Sequence, residues 1–245
     1  MEGLNQAISI AIMASAIRGA TPILYAALGG IFSERCGVLN IALEGIMLIS
    51  AFSAVVGSYF TGNPWLGVLM GLVGGLLASF IHAFMSIHMR ADQAIVGTGI
   101  NILGAGLPNF LMLKIWDRQA LSPIVERIPD WRIPIVADLP IIGPIIGQHS
   151  PLVYLAFLLV PVCWYVLFRT PFGLRLRAVG ENPRAAETVG ISVYGMRYAG
   201  VMISGLLASL GGAFMSVSYL SQYTNHMTAG RGFIGLAAMI FGRWN

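Results

Sequence analysis

The sequence predicts an all-α, polytopic membrane protein, and three observations carry that prediction. Of its 245 residues 57% are apolar and only 10% are charged, whereas soluble domains carry about 25% charged residues. Apolar runs of about 20 residues recur along the chain, the length a helix needs to cross about 30 Å of hydrocarbon. Positive charge is gathered between such runs: residues 169–197 hold five of the fourteen Lys and Arg residues, which marks a cytoplasmic loop. The formal charge of +4 therefore reads as orientation in a bilayer, and nucleic-acid binding is not expected.

Seven apolar segments follow in order, at 7–32, 38–60, 64–88, 93–115, 151–168, 198–220 and 232–242. Arg18 interrupts the first. Either it faces the bundle interior, or the helix breaks near Gly19, where Thr21-Pro22 adds irregularity. The seventh segment is too short to cross the hydrocarbon. The expectation is one transmembrane domain over 1–245, a fragment whose C-terminal spans are missing.

Placing 169–197 inside fixes the other turns by alternation. Ser33–Cys36 and Met89–Asp92 then fall inside with one Arg each, while Thr61–Pro64, segment 116–150 and the N-terminus fall outside. Segment 116–150 carries Arg118, Arg127 and Arg132 against Asp117, Glu126, Asp130 and Asp138, so it has no positive excess. Pro123, Pro129, Pro134, Pro140 and Pro144 forbid a regular helix there. Apolar non-helical backbone cannot face lipid, so this outer loop is expected to lie across the bundle as a cap.

Small residues recur at every fourth position on two spans: Gly67, Gly71, Gly75, Ser79 and Ala83 on the third, and Gly200, Ser204, Ala208, Gly212 and Ser216 on the sixth. Such rows let helix backbones approach closely in lipid. No internal repeat is visible.

Polar groups within spans are more pointed. Glu44, about two turns into the second span, is costly at that depth unless paired, protonated or facing water. It is a functional candidate, or else an interhelical bond or an ion pair with Arg18 or Arg35. On the fourth span Gln93, Thr98 and Asn101 fall toward one side by helical spacing, with Asn109 further along. They either line a polar path or make ordinary interhelical hydrogen bonds.

Cys36 and Cys163 read as small buried apolar residues, with no disulfide framework. His82, His88, His149 and His226 have no metal-ligand spacing, and no catalytic fingerprint occurs. No catalytic residue, metal or cofactor is therefore assigned. The only lysine, Lys114, is followed by Ile115, so the chain lacks the phosphate-binding loop of an ATPase, and any ATP-driven step belongs to another chain.

Within the basic loop stands GENPRAAETVGI. Asn182 can cap a helix that begins at Pro183, runs through Val189 and stops at Gly190. A solvated connector and a docking helix are both compatible with this pattern.

Three stretches occur in one order: TPILYAALGGIFSERCGVLNIALEGIMLISAF (21–52), the loop at 178–191, and AGRGFIGLAAMIFGRWN (229–245). Together they resemble permease subunits of bacterial ABC importers in the branched-chain amino acid, ribose and nucleoside group. The first two are most similar to nucleoside permeases that work with a basic-membrane-protein type lipoprotein. The resemblance implies a multi-pass inner-membrane subunit that moves a small polar solute by alternating access. It also implies three partners: a second homologous permease chain, a cytoplasmic ABC ATPase holding ATP and Mg, and an external substrate-binding lipoprotein. Carried onto this chain, ATPase-coupling contacts fall on Gly180, Glu181, Asn182, Pro183, Ala185, Ala186 and Gly190. The same match places Asn40 and Glu44 beside the substrate pathway, where Gln93, Thr98 and Asn101 would join them. Members of the group continue beyond GRWN through further spans. Three other readings stay open: a permease for simple sugars or branched-chain amino acids, an ion-coupled transporter using Glu44, and a non-transporting scaffold that recruits a protein through 169–197.

Overall fold

The computed structural model describes residues 2–132 and 145–244, with side chains from residue 9 onward. Prolines 134, 140 and 144 of the expected outer cap lie outside the described residues. In chain order the helices are α1 (Glu2–Arg35), α2 (Leu43–Thr61), α3 (Pro64–Ala83), α4 (Gln93–Trp116), α5 (Pro151–Arg169), α6 (Pro171–Glu181), α7 (Pro183–Thr188), α8 (Val193–Ala213) and α9 (Arg231–Phe241). Two-residue strands β1 (Trp131–Arg132) and β2 (Gln148–His149) pair antiparallel. Six helices among the described residues, α1 to α5 and α8, are long and apolar enough to cross a membrane, and α9 is shorter.

Helix starts are written in a common code. Asn63-Pro64, Ser150-Pro151, Thr170-Pro171 and Asn182-Pro183 open α3, α5, α6 and α7. In each, the cap side chain accepts from a first-turn N–H (Trp65, Leu152, Gly173 and Ala185), and proline sits where no N–H is needed. Asp92 and Ser192 cap α4 and α8 in the same way, without the proline.

Several boundaries differ from the sequence expectation, two of them inside the bundle. The break near Gly19 does not occur: α1 passes unbroken through Arg18 and Pro22, and the Thr21 hydroxyl donates to the Ile17 carbonyl at 2.8 Å. The second span begins at Leu43 rather than near 38, because residues 36–42 are irregular backbone.

α2 and α8 form the centre. In each, 78% of the most apolar stretch is buried, against 28% in α1 and α5, which therefore lie at the periphery. α3 and α8 cross beside each other, and here the absence of an internal repeat needs correction. GLLASFIHAFMS (75–86) and GLLASLGGAFMS (205–216) are identical at nine of twelve positions. Both helices also end in a π-helical turn, Phe84–His88 and Phe214–Tyr219. Gly75 lies against Ser209, and Gly205 lies against Ser79. Since 75 corresponds to 205 and 79 to 209, one contact is the counterpart of the other. The helices thus cross antiparallel about a local two-fold axis, a self-complementary contact. Ser79 Oγ donates to the Val201 carbonyl at 2.9 Å, and Ser50 Oγ from α2 donates to the Ser209 carbonyl at 2.7 Å.

At the end of the bundle away from α6 and α7, residues 120–128 run along residues 217–225. The backbone N–H groups of Ser122, Val125 and Ile128 donate to the carbonyls of Tyr223, Ser221 and Val217 at 2.9–3.0 Å. Val125 and Ile128 are buried there.

Candidate functional site

The irregular stretch between α1 and α2 sits inside the bundle, where unpaired backbone groups are costly. Side chains from three helices satisfy it. Leu39 N–H donates to Gln93 Oε1 at 2.7 Å, and His82 Nε2 lies 3.3 Å from the Leu39 carbonyl. Asn101 bridges the Ile41 carbonyl (3.0 Å) and the Gly45 N–H (2.8 Å), so it caps the start of α2 from α4. Asn40 accepts from Ala42 N–H at 3.1 Å and donates to Ser204 Oγ on α8 at 2.9 Å. Gln93 and Asn101 are eight residues apart on one helix, so the chain climbs about 12 Å along α4 before α2 begins. The first turn of α2 therefore lies within the bundle rather than at its edge.

A second helix start meets it there. Gly230, at φ +81°, caps α9. Glu44 Oε1 accepts from Thr228 Oγ1 (2.5 Å) and Gly230 N–H (2.8 Å), and Oε2 accepts from Gly232 N–H (2.7 Å). The carboxylate is buried, and its negative charge faces the positive end of the α9 dipole. Glu44 thus acts as a cap supplied from another helix. Of the ordinary readings of Glu44, the interhelical hydrogen bond forms and the ion pair with Arg18 or Arg35 does not: Arg35 Nη2 donates to the Trp244 carbonyl at 2.9 Å. The Trp244 indole donates to Glu34 at 2.5 Å, which fastens the far end of α9 to α1.

The structure therefore brings Asn40, Glu44, Gln93 and Asn101 together around one backbone break. It does not bring Thr98: that residue is exposed, and its hydroxyl donates to Ala94 of its own helix at 2.8 Å. Spacing alone misplaced it, because 93 to 98 is about a turn and a half of helix. His82 and Ser204 were missed. Their polar side chains lie on helices otherwise read as small-residue packing faces.

The basic loop folds into two helices rather than one. α6 was missed, although Thr170-Pro171 carries the same opening as Asn182-Pro183. α7 is capped by Asn182, whose Oδ1 accepts from Ala185 N–H at 3.1 Å. It ends with Ile191 N–H donating to the Ala186 carbonyl and Gly190 N–H to the Glu187 carbonyl, both at 3.0 Å, with Gly190 left-handed at φ +81°. This is the Schellman stop. Ala185 on α7 and Val189 at its C-cap, four residues apart, are exposed, Val189 at 73%. Glu181 and Asn182 are exposed and Pro183 half-buried.

Two residues expected to make coupling contacts pack against the chain's own bundle. Ala186 is 4% exposed, and a Cβ at Gly180 would collide with the Arg35 carbonyl of the same chain. Cavities flank α7 on both sides. One of about 550 Å³ includes Arg175, Val189 and Gly190, and one of about 400 Å³ includes Arg90, Arg184, Glu187 and Tyr194. Among the described residues no group of three or more His, Cys, Asp or Glu could hold a metal ion.

The nucleoside ABC transporter permease protein NupC of Lactococcus lactis is 44% identical over 241 residues, 96% of this chain and 76% of that protein. The guanosine ABC transporter permease protein NupQ of Bacillus subtilis is 43% identical, covering 98% of this chain and 77% of that protein. A Haloferax volcanii protein provisionally named glucose ABC transporter permease protein TsgC13 is 36% identical, covering 95% of this chain and 70% of that protein. The family model described as branched-chain amino acid transport system / permease component matches residues 12–245, and the chain belongs to that family of membrane-embedded ABC-importer permease subunits.

Proposed function

We propose that this permease moves nucleosides across the bacterial inner membrane by alternating access, driven by a separate ABC ATPase that holds ATP and Mg. The proposed partners are a second homologous permease chain, that cytoplasmic ATPase, and an external substrate-binding lipoprotein. The nucleoside assignment is supported by the two relatives above that are named for nucleoside or guanosine transport, each similar over almost the whole chain.

The observation that carries the coupling reading is α7 itself. It is a helix closed at both ends by its own caps, with Ala185 and Val189 facing outward and a cavity on each side. Small outward residues let a rigid helix enter a partner's groove. Glu181, Asn182, Pro183, Ala185 and Gly190 are the contacts proposed for the ATPase, while Gly180 and Ala186 hold the helix against its own bundle. Asn40, Glu44, Gln93 and Asn101 act on the pathway indirectly. They hold two helix starts inside the bundle, the arrangement that in transporters borders the solute path. The three donors already bound to Glu44 argue against its serving as an ion-coupling carboxylate.

The test is uptake by the assembled transporter in proteoliposomes, with radiolabelled guanosine, uridine and glucose offered separately. ATP-dependent guanosine or uridine uptake is expected. Glucose uptake without nucleoside uptake would overturn the substrate. With Ala185→Arg, ATPase activity should persist while uptake is lost, and unchanged uptake would sink the docking role of α7.

A further inference from the structure

An apolar groove of about 350 Å³ opens between α1 and α5, among them Leu28, Val160, Cys163, Trp164 and Phe168. It lies on two peripheral helices of the bundle and runs toward the end that carries α6. At that end three guanidinium groups stand on the rings that line it. Arg35 and Arg177 sit over Phe168, at 5.7 and 5.1 Å from the ring centre, and Arg169 sits over Trp164 at 5.5 Å. Among the described residues none of the three has a carboxylate within ion-pair distance. The Nε atoms of Arg35 and Arg177 are buried without a hydrogen-bond partner. Arg35 and Arg177 also line, together with Glu34 and Glu181, a polar cavity of about 240 Å³.

From this we infer that the groove is a binding site for an anionic phospholipid of the cytoplasmic leaflet. One acyl chain lies against Leu28, Val160 and Cys163, and the phosphate is held by Arg35, Arg169 and Arg177. Two features select the ligand class. The groove offers only apolar side chains at membrane depth, and the end reached by a headgroup gathers three guanidinium groups against the two carboxylates Glu34 and Glu181. Basic pockets between membrane helices on the cytoplasmic side recognise anionic headgroups in this way. The aromatic rings beneath the guanidinium groups hold them in place, so they present a fixed surface rather than flexible cations. The inference rests on placing this end in the cytoplasm, and it is independent of the solute carried.

The experiment is native mass spectrometry of the full chain in detergent. The probes are phosphatidylglycerol and phosphatidylcholine of identical acyl chains, with glycerol phosphate as a headgroup-only competitor. Phosphatidylglycerol should be retained preferentially, and Arg169→Gln and Arg177→Gln should each reduce that preference about fivefold. Val160→Trp, which fills the groove and leaves the arginines intact, should remove one bound lipid of either kind. Thermal unfolding of each variant confirms that it is folded. Equal retention of the two lipids would overturn the site, as would a preference unchanged in both arginine variants. Competition by glycerol phosphate as strong as by lipid would make it a free-phosphate site instead. Val160→Trp with unchanged lipid retention but altered self-association would make it a chain–chain interface.

Discussion

The Gly232 backbone N–H donates to Glu44 Oε2 at 2.7 Å, joining two sequence motifs 188 residues apart. A Cβ at Gly232 would lie 2.7 Å from the Glu44 backbone, so only glycine allows that approach. The acidic residue of the first motif and the G-R-G of the last are thus one structural unit. The first supplies negative charge, and the last supplies the unpaired N–H groups of a helix start.

Glu44→Ala leaves the Thr228 hydroxyl and the two N–H groups without their acceptor. Hydrogen bonds to a charged group contribute about 1.5–3 kcal/mol each, so a loss of about 3 kcal/mol or more is expected. Glu44→Gln keeps one acceptor and should cost less. Thermal unfolding in detergent checks the order, and a Gln variant less stable than the Ala variant would refute the capping role.

The local two-fold axis makes a paired prediction. Gly75→Ala and Gly205→Ala each place a Cβ into a serine of the facing helix, and overpacking of this kind costs about 1–3 kcal/mol. The two losses should be similar. Gly99→Ala, which meets nothing within 4 Å, is the control and should be neutral or slightly stabilising. Unequal losses would show that the crossing is not symmetric in energy.

Asn101 and Thr98 should separate cleanly. Asn101→Ala leaves the Ile41 carbonyl and the Gly45 N–H unpaired inside the bundle, and the yield of folded protein should fall. Thr98→Val removes only a bond within its own helix and should leave both folding and uptake near wild type. Size-exclusion profiles together with uptake measure both.

Cys36 lies just past α1, packed against Gly200 and buried. Burial is the main cause that pushes its thiol up to about 12, outweighing a lowering by Arg197 and by backbone hydrogen bonds. Thiolate is therefore scarce through neutral pH. Alkylation by a maleimide should be slow in the folded protein at pH 7 and rapid after denaturation. Fast labelling of the folded protein would show that the α1–α8 contact opens.

Much of this molecule was legible in the sequence. The six spans, the short α9 and the capped helix at Pro183 are local in origin: they follow from apolar length, cap residues and proline. α6 was equally legible, since Thr170-Pro171 repeats the signal of Asn182-Pro183. So was the GLLAS…AFMS repeat, whose shared letters extend beyond its rows of small residues. The partner of Glu44 was not legible. Arginine is the obvious partner for a carboxylate, but the structure uses backbone N–H groups, which every residue but proline carries and no residue type announces.

By itself, then, the sequence determined most of the helical segments and that the chain belongs in a bilayer, because those properties depend on neighbours along the chain. Only the tertiary structure decided that α2 and α9 both begin inside the bundle, that Glu44 joins them, and that Ala185 and Val189 rather than Ala186 face outward on α7. In lipid there is little hydrophobic drive between helices. Their arrangement is set by close backbone approach and by where unpaired N–H and C=O groups find partners, and those partners are distant in sequence.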